Sequence, residues 1–484
     1  LNMAFLIGGA NSAADTGYDV ANSCRFNDDD SAYMSLARSD SRAATNVRKF
    51  TFSAWVKRSS PNGVAQNIYH NSLNGDNYMD FNFSAGEQLW YNDILSGGYQ
   101  VDLRTNRLFR DIGAWYHLVL AVDTTQGVAA NRVKLYVNGV QETSFATETY
   151  PDQNDDLVVD GGDGWNGAVG RFTPSTNQYF DGYMSEVVYI DGTQNAVTDF
   201  GEFNSESPTI WQPIDVSGLT FGNIGFYLDF EDSGNLGDDE SGNTTDWTEN
   251  NIAATDQTTD TPTNNFATLN TLIKSTATFS EGNTRYQSPA SNPVFGSVST
   301  IGTTKGKWYA EVDYNAGSNH YLVLGIGDEN FISNGDLGIE YTWDLGKGQA
   351  TASIAYVVNT GAYRIDNSNT NWGSAGGDGN IIMIAVDQDN EEIYFGVDGT
   401  WGNSSDPAAG SNGIDVSSVL TGDTWFIGCT NDTGASETIA DFNFGNPSFS
   451  ISSSNSDANG YGSFEFAVPS GFYALNTKNL ATYG

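Results

Sequence analysis

The sequence predicts an all-β protein made of two antiparallel β-sandwich domains that are joined by an extended polar linker. Short apolar or alternating runs recur along the 484 residues and are separated by polar turns, which agrees with the 54 glycines. One pattern also occurs twice, over 115–139 and 381–399: a buried strand ends in Asp, a turn follows, and a second strand ends in Asn-Gly or Asp-Gly. These dipeptides favour tight hairpins, so we expect both halves to contain the same antiparallel unit.

The charge balance excludes some classes of partner. The chain has 20 basic and 60 acidic residues, with a net charge of −40. Nucleic acids and anionic membrane surfaces attract basic proteins, so we expect neither as a partner. No apolar run reaches the roughly 20 residues that cross a bilayer, so we expect no membrane insertion. Cys24 and Cys429 lie in different halves and predict no disulfide framework.

The chain begins with an apolar, glycine-containing segment over 1–20, which we interpret as a docking segment for a partner protein, with a strand or a frayed end as the alternative. The first sandwich is predicted over 21–233 because its apolar runs have the length and alternation of strands. Its predicted strands are 33–36, 50–57, 67–70, 77–83, 88–92, 115–123, 133–137, 168–171, 180–192 and 225–230.

Residues 234–266 are rich in Asp, Asn, Thr and Gly and poor in large apolar residues. Such a composition buries little surface, so we predict an extended linker here. The second sandwich is predicted over 267–484. Its predicted strands are 308–314, 321–326, 381–387, 392–397, 425–430, 442–444 and 472–476.

The first half resembles laminin-G-like, concanavalin A-like jelly rolls. The resemblance is carried by 52–56, 115–119, 135–139, 169–171 and 180–187, in that order. The resemblance implies a jelly-roll sandwich and leaves the ligand open, since this fold hosts many functions.

The second half is similar to SPRY-type sandwiches, through 306–312, 324–327 and 393–399. The tandem as a whole resembles virion proteins of tailed bacteriophages, especially marine ones, through 4–11, 26–30 and 225–230. This resemblance implies an extracellular location on the virion surface. It also implies a homo-oligomer, often a trimer, whose N-terminal segment binds other virion proteins.

An enzymatic function has little support from the residues. Sandwich glycosidases need two carboxylates that face each other across a sugar. Glu311 and Asp313 begin such a strand pattern, but Asn315 and Ala316 occupy the positions of the second Glu. The three histidines have no metal-binding spacing, and we expect His117 to lie on a sheet face. We therefore predict a non-enzymatic protein with no catalytic residues.

Calcium is the cofactor that the resemblance implies, because laminin-G-like domains hold it on rim loops with oxygen ligands. The candidate ligands lie in one acidic loop, and the alternative is that this loop is simply solvated. They are Asp152, Asn154, Asp155, Asp156, Asp160 and Asp163.

Sugar binding normally uses exposed aromatic rings in loops. Trp165 and Trp372 are flanked by glycine, and Tyr179 lies in a polar loop, so we predict these three as ligand-binding residues. The alternative for each is that it caps the core or contacts a neighbouring subunit. Trp55, Trp115 and Trp308 are expected in the core.

These observations together predict a phage virion surface protein, either a fibre or a decoration, whose lectin-like domains bind host glycan. Two alternatives stay open. One is a structural protein that cements the capsid or tail without a host ligand, and the other is a secreted cellular adhesin.

Overall fold

The computed structural model describes residues 6–7, 17–37, 43–158, 164–174, 178–243, 245–273, 277–288, 296–316, 322–334, 345, 352–431 and 438–484. Over these residues the protein is nearly all β, with two short α-helices, Glu329–Asn334 (α1) and Thr477–Tyr483 (α2). The all-β prediction is confirmed. Within the same ranges, no helix has the length and apolar character that a membrane crossing needs.

The chain divides into two units, Asp15–Thr263 and Asn264–Gly484, and Leu1–Ala14 belongs with the latter. We call them the first and the second unit. Strand β1 (Leu6–Ile7) pairs in parallel with Ile301–Gly302 of the second unit. Most of the predicted docking segment 1–20 lies outside the described residues, so its role stays a prediction.

The strands of the first unit are short and antiparallel. They are β2 (Ser23–Phe26), β3 (Tyr33–Ala37), β4 (Lys49–Arg58), β5 (Gln66–Asn74), β6 (Asn77–Phe83), β7 (Gln88–Leu95), β8 (Gly98–Leu108), β9 (Trp115–Asp123), β10 (Val133–Val137), β11 (Val140–Glu142), β12 (Phe145–Thr149), β13 (Asn166–Val169), β14 (Gly182–Asp191), β15 (Gly201–Phe203), β16 (Trp211–Pro213), β17 (Phe226–Leu228), β18 (Thr248–Asn250) and β19 (Gln257–Thr258).

The second unit is built in the same way. Its strands are β20 (Thr278–Ser280), β21 (Arg285–Gln287), β22 (Gly296–Val298), β23 (Ile301–Gly302), β24 (Lys307–Ala316), β25 (Leu322–Asp328), β26 (Ser353–Val357), β27 (Ala362–Ile365), β28 (Ser368–Asn371), β29 (Asn380–Asp387), β30 (Glu392–Val397), β31 (Thr400–Trp401), β32 (Ile414–Asp415), β33 (Trp425–Asn431), β34 (Thr438–Asn443) and β35 (Tyr473–Ala474).

Two eight-stranded sheets form the first unit. The first sheet has the order β11-β10-β9-β4-β14-β2-β19, with β17 beside β14, and the second sheet has the order β12-β8-β7-β6-β5-β13-β3-β18. Apolar residues of both sheets form one core; Phe52 of β4, for example, stacks on Tyr69 of β5 at 4.9 Å between ring centroids. The sheets therefore pack face to face as a sandwich.

The predicted central hairpin is confirmed. Strands β9 and β10 pair from Val133–Val122 to Val137–Leu118, and Asn138 and Gly139 both have positive φ. The second unit repeats this arrangement in β29 and β30, where Asp398 and Gly399 have positive φ. Its sheets contain nine strands (β20-β21-β34-β24-β29-β30-β31, with β32 and β35 beside them) and six strands (β22-β33-β25-β26-β27-β28).

The prediction of an extended linker over 234–266 is wrong. Strand β18 extends the second sheet along β3, and β19 extends the first sheet along β2. Trp247 lies in the core at 2% exposure. A segment with few apolar residues can still be ordered when its backbone completes sheet edges, which is what happens here.

A buried carboxylate fixes this segment. Asp260 accepts hydrogen bonds from Lys57 Nζ at 2.7 Å and from Trp115 Nε1 at 3.1 Å, and its carbonyl oxygen accepts one from Ser23 Oγ at 2.6 Å. The Lys57 and Asp260 side chains are 1% and 0% exposed. Removing one member of such a pair leaves the other charge buried, which is strongly destabilising.

We expect Asp260→Asn to lower the free energy of unfolding of the first unit by about 3–5 kcal/mol, because Lys57 loses its buried counter-charge. This free energy is measured by urea titration, in which pulsed hydrogen exchange and mass spectrometry of peptides from 15–263 report the unfolded fraction of the first unit. The control is Asp156→Ala, which removes the exposed pair with Arg48 and should cost about 0–1 kcal/mol. Equal losses in both variants would contradict the expectation.

Candidate functional site

The second sheet has one apolar face and one polar face. Along β6, Met79 and Phe81 belong to the core, so the alternate residues Asp80 and Asn82 lie on the opposite face. The same alternation holds in β7 and β8, and in β5 a register shift between Asn67 and Tyr69 puts Asn67 and His70 on this face although Ile68 and Tyr69 both belong to the core. We call this surface the polar face; its residues are Asn67, His70, Asp80, Asn82, Trp90, Asn92, Asp102 and Arg104.

Strand register brings these residues together in two rows. Across neighbouring strands, His70 pairs with Asp80, Asp80 with Asn92, and Asn92 with Asp102. The second row contains Asn67, Asn82, Trp90 and Arg104 in the same strand order. Directly opposed side chains on one face lie within contact distance, so eight residues that are scattered over 67–104 form one surface.

Several polar atoms of this face are buried and make no hydrogen bond, and one of them, His70 Nδ1, lies 3.8 Å from Asp80 Oδ1. The Asp80 carboxylate accepts hydrogen bonds from the side-chain amides of Asn67 and Asn82. The side-chain oxygens of Asn67, Asn82 and Asn92 and both ring nitrogens of His70 make no hydrogen bond, although these residues are at most 2% exposed. Each such atom costs about 1–3 kcal/mol. Five of them in one place are an unusual concentration of unused hydrogen-bonding capacity on one side of a sheet.

Phe172 covers His70. The two rings meet edge to face with centroids 4.8 Å apart, and Phe172 also contacts the Tyr78 ring at 5.5 Å. Thr173 Oγ1 lies 3.3 Å from Ser72 Oγ. The segment that follows β13 therefore folds back over this part of the polar face.

Aromatic rings flank the amides. Trp90 donates a hydrogen bond from Nε1 to Asp102 Oδ1 at 2.8 Å, and the guanidinium of Arg104 stacks over its ring at 4.1 Å. Both side chains of this stack are half-buried. Trp90 and Arg104 are neighbours in the second row, and this stack fixes the orientation of both side chains.

A second aromatic group lies where β3 meets the end of β13. The guanidinium of Arg171 lies 4.6 Å from the Tyr33 ring and 5.4 Å from the Tyr179 ring, and the two tyrosine rings are 6.0 Å apart. All three side chains are half-buried. We call them the tyrosine cluster. The structure thus places the predicted ligand residue Tyr179 beside the second sheet, next to an arginine that the sequence analysis did not single out.

The two tryptophans that were predicted to bind a ligand, Trp165 and Trp372, belong neither to the polar face nor to the tyrosine cluster. Trp165 is half-buried and packs against the core of the first unit, so its role in ligand binding stays a prediction. Trp372 is 5% exposed, donates from Nε1 to the Phe395 carbonyl at 2.9 Å and contacts the Tyr363 ring. The prediction that Trp372 is an exposed loop residue is wrong, because its ring lies in the core of the second unit.

The predicted calcium ligands are placed only in part. Asp155 accepts a hydrogen bond from the Asp152 backbone at 2.8 Å, and Asp156 pairs with Arg48 at 2.6 Å. Asp160 and Asp163 lie outside the described residues. Within the described part of the chain, no group of three or more His, Cys, Asp or Glu side chains is arranged to hold a metal ion. Calcium binding stays a prediction.

His117 lies on the outer face of the first sheet, as predicted, and contacts Ser53. Its Nε2 is 2.8 Å from Ser53 Oγ, and its Nδ1 accepts a hydrogen bond from Trp211 Nε1 at 2.9 Å. An indole N–H can only donate, so Nδ1 carries no proton and the Nε2 proton points at Ser53. Burial lowers the pKa of His117 to about 3. This imidazole therefore donates to Ser53 and is not arranged to act as its base.

Glu311, the first residue of the glycosidase-like pattern, is engaged in structure. Its carboxylate accepts hydrogen bonds from Tyr309 Oη at 2.9 Å and from the backbone N–H groups of Glu465 and Phe466 at 2.9 and 2.8 Å. Burial raises its pKa. Both oxygens are occupied in holding a neighbouring segment, so they are not free to act on a sugar.

Sequence reasoning missed the polar face. Its strands were predicted, and the alternation in Tyr78-Met79-Asp80-Phe81-Asn82 already separates apolar from polar positions. The useful signal is that the outward positions are Asp, Asn, His and Trp, whereas an ordinary solvated face carries mainly Lys, Glu and Thr. Which of these residues are neighbours depends on strand order and register.

Residues 28–201 match a family profile described as the concanavalin A-like lectin/glucanases superfamily. This match covers the polar face and supports the predicted jelly-roll resemblance in the first half. No curated protein matches the chain. The superfamily contains both lectins and glucanases, so the match points to carbohydrate and does not separate binding from catalysis.

Several solved structures are similar to the chain at low sequence identity. A putative carbohydrate binding protein from Bacteroides ovatus has 18% identity and a TM-score of 0.34, covering 48% of this chain and 59% of its own. Domains LG4-5 of the mouse laminin alpha1 chain have 10% identity and a TM-score of 0.29, covering 88% and 85%. The SPRY domain of human HERC1 has 10% identity and a TM-score of 0.28, covering 36% and 96%.

We expect the His117 imidazole to stay neutral, with its proton on Nε2, from pH 8 down to about pH 4, because burial holds its pKa near 3. NMR of the chain with 15N-labelled histidine measures both the tautomer and the titration, and His117→Gln assigns the signal. The unfolded state binds a proton near pH 6.5. This group should therefore lower the stability of the fold progressively as the pH falls from about 6.5 toward 3.

A His117 signal that titrates between pH 6 and 7 with the proton on Nδ1 would contradict this expectation. It would make Nε2 a base for Ser53 and would restore a catalytic interpretation of the pair.

Proposed function

We propose that the chain is a non-catalytic carbohydrate-binding protein whose polar face holds the saccharide. The observation that carries the proposal is the set of buried amide oxygens and imidazole nitrogens without partners, flanked by the Trp90 ring and the tyrosine cluster. The family match over 28–201 supports a carbohydrate as the ligand.

The chemistry of this face suits sugars. Each sugar hydroxyl can donate and accept a hydrogen bond, and Asn67, Asn82 and Asn92 offer oxygens that lack a donor. The His70 imidazole adds two ring nitrogens that make no hydrogen bond within the chain. Aromatic faces bind the apolar faces of sugar rings. Small-molecule sites in general combine such apolar surfaces with a few fixed polar groups.

The polar face lacks the arrangement that glycoside hydrolysis needs. That reaction uses two carboxyl groups that flank the scissile bond. On this face both Asp80 oxygens accept hydrogen bonds from side-chain amides, and Asp102 accepts a hydrogen bond from the Trp90 indole. Groups that are committed to neighbouring side chains position them and do not exchange protons with a substrate. This supports binding over catalysis.

We infer further that this binding occurs on the surface of a phage particle, as a fibre or decoration that attaches to host glycan. The support is the resemblance of 4–11, 26–30 and 225–230 to virion proteins of tailed bacteriophages. Under this proposal the chain forms a homo-oligomer and binds other virion proteins through its N-terminal segment. A cement protein without a host ligand and a secreted adhesin are the competing functions.

We expect Trp90→Ala and Tyr179→Ala each to weaken saccharide binding by roughly tenfold, since each removes a stacking surface of about 1 kcal/mol or more. A glycan array with the full chain identifies the ligand, and isothermal titration calorimetry then measures the affinity. A second array after chelation tests the calcium prediction, which expects binding to be lost.

The matched control is Phe203→Ala, since Phe203 is an aromatic residue at 44% exposure on β15, outside the second sheet. It should bind like the unmodified chain. Each variant is compared by near-ultraviolet circular dichroism so that a folding defect is recognised. An array without any bound glycan, with the chain folded, would contradict the proposed function and favour the cement protein.

The phage setting makes a separate prediction. Antibody against the first unit should label intact particles that are purified from a host carrying this gene, because a fibre or decoration is exposed on the virion. Electron microscopy of the labelled particles distinguishes head from tail. Labelling that appears only after particles are disrupted, or a protein found only in the medium without particles, would contradict the surface location.

A further inference from the structure

Two arginines, Arg104 of the polar face and Arg171 of the tyrosine cluster, form no ion pair with the described residues of the chain. Several arginines among the described residues pair with a carboxylate, as Arg58 does with Glu87 and Arg107 with Glu142. Arg104 and Arg171 form no such pair within the described residues, although acidic side chains outnumber basic ones by 60 to 20. In so acidic a chain, a half-buried guanidinium without a carboxylate is unexpected.

Both guanidinium groups are held in place by aromatic rings. Arg104 stacks on Trp90 at 4.1 Å, and Arg171 lies 4.6 Å from the ring of Tyr33. The Nε atom of each is buried and makes no hydrogen bond. Stacking fixes the plane of the group, and the terminal N–H groups, which are not among the buried atoms that lack a hydrogen bond, have the planar geometry that recognises carboxylate or sulfate oxygens in pairs.

The two groups lie on different strands of the same sheet. Arg104 belongs to β8, and Arg171 directly follows β13, with β7, β6 and β5 between them. Four strand spacings of about 4.8 Å separate them by roughly 19 Å. Asn67, Asn82 and Asn92, whose side-chain oxygens make no hydrogen bond, and His70 belong to the strands between the two arginines. A ligand that reaches both is therefore an oligosaccharide and not a single sugar.

We propose that the polar face is selective for an acidic saccharide, with Arg104 and Arg171 each binding an anionic group on the sugar. This inference rests on the proposed function and names the ligand class for the same site. The anionic group is a carboxylate or a sulfate ester, since both present paired oxygens to a guanidinium.

The acidic groups of the face are held by neutral donors and form no ion pair with either arginine. Asp80 accepts hydrogen bonds from the side-chain amides of Asn67 and Asn82, and Asp102 accepts one from the Trp90 indole. The net charge of −40 repels a polyanion at long range, but salt at 0.15 M screens charges beyond about 8 Å. Recognition then depends on the direct contacts of the two arginines.

The test compares saccharides that differ only in charge. The full chain is titrated at 0.15 M NaCl with oligogalacturonate and with its methyl ester, and with a sulfated galactan oligosaccharide and its desulfated form. We expect at least one acidic member to bind about tenfold or more tightly than its neutral counterpart, because a hydrogen bond to a charged group is the stronger kind. The carboxylated and sulfated arms identify the source of the anionic group, and a preference in either arm supports the proposal.

Variants assign the effect to the arginines. Arg104→Gln and Arg171→Gln should each weaken the acidic ligand about tenfold and leave the neutral one nearly unchanged. Arg107→Gln is the matched control, because Arg107 lies on the same strand, is exposed and pairs with Glu142; it should retain the preference. If a Gln variant fails to fold, Arg104→Lys and Arg171→Lys replace it. These variants keep the charge but remove the planar guanidinium, so part of the preference for the acidic saccharide should be lost.

The outcomes separate the two proposals. Equal affinity of the unmodified chain for acidic and neutral members would overturn the acidic specificity and leave carbohydrate binding intact. A preference that both Gln variants retain would also overturn it. Failure of the folded chain to bind any saccharide would overturn the proposed function, and this inference with it.

Discussion

The buried ion pair between Lys57 and Asp260 is the interaction on which the first sandwich depends. Lys57 belongs to β4 near the middle of the first sheet, and Asp260 belongs to the polar segment 234–266, which also contains β18 and β19. A charge on either side chain is tolerable only because the other is 2.7 Å away. The pair therefore holds this segment against the sheet, although the segment has few apolar side chains of its own.

That segment in turn orders the surface beside the polar face. Strand β18 pairs with β3 at the edge of the second sheet, and Asn250 donates from its side chain to Ser35 Oγ at 2.9 Å. The paired strand carries Tyr33, whose ring lies against Arg171. An edge strand without a neighbour frays easily. Closing this edge gives the tyrosine cluster a fixed geometry, so a residue far from the ligand surface contributes to its order.

Some of this could be predicted from the sequence. The alternation of β10 and the Asn138-Gly139 turn depend on local rules, and the structure agrees with them. Local rules do not predict the position of Trp372. The neighbouring glycine suggested a loop, but the indole ring packs against Gly402, which has no side chain to obstruct it. That contact depends on tertiary packing. The prediction for the polar segment 234–266 failed for the same reason, because the order of this segment comes from pairing with β2 and β3, which are distant in sequence.

The two histidines of the first unit show why one sheet carries the candidate site and the other does not. Both lie on outer faces, and both are buried. The segment that contains Phe200, Trp211 and Val216 packs over the first sheet, and the nitrogens of His117 contact Trp211 of this segment and Ser53 of β4. On the second sheet neither nitrogen of His70 makes a hydrogen bond, Nδ1 lies 3.8 Å from Asp80 Oδ1, and the Phe172 ring covers the imidazole. The first face is completed by the chain itself. The second face keeps unused hydrogen-bonding capacity, and this difference is what sets the candidate site apart from the first face.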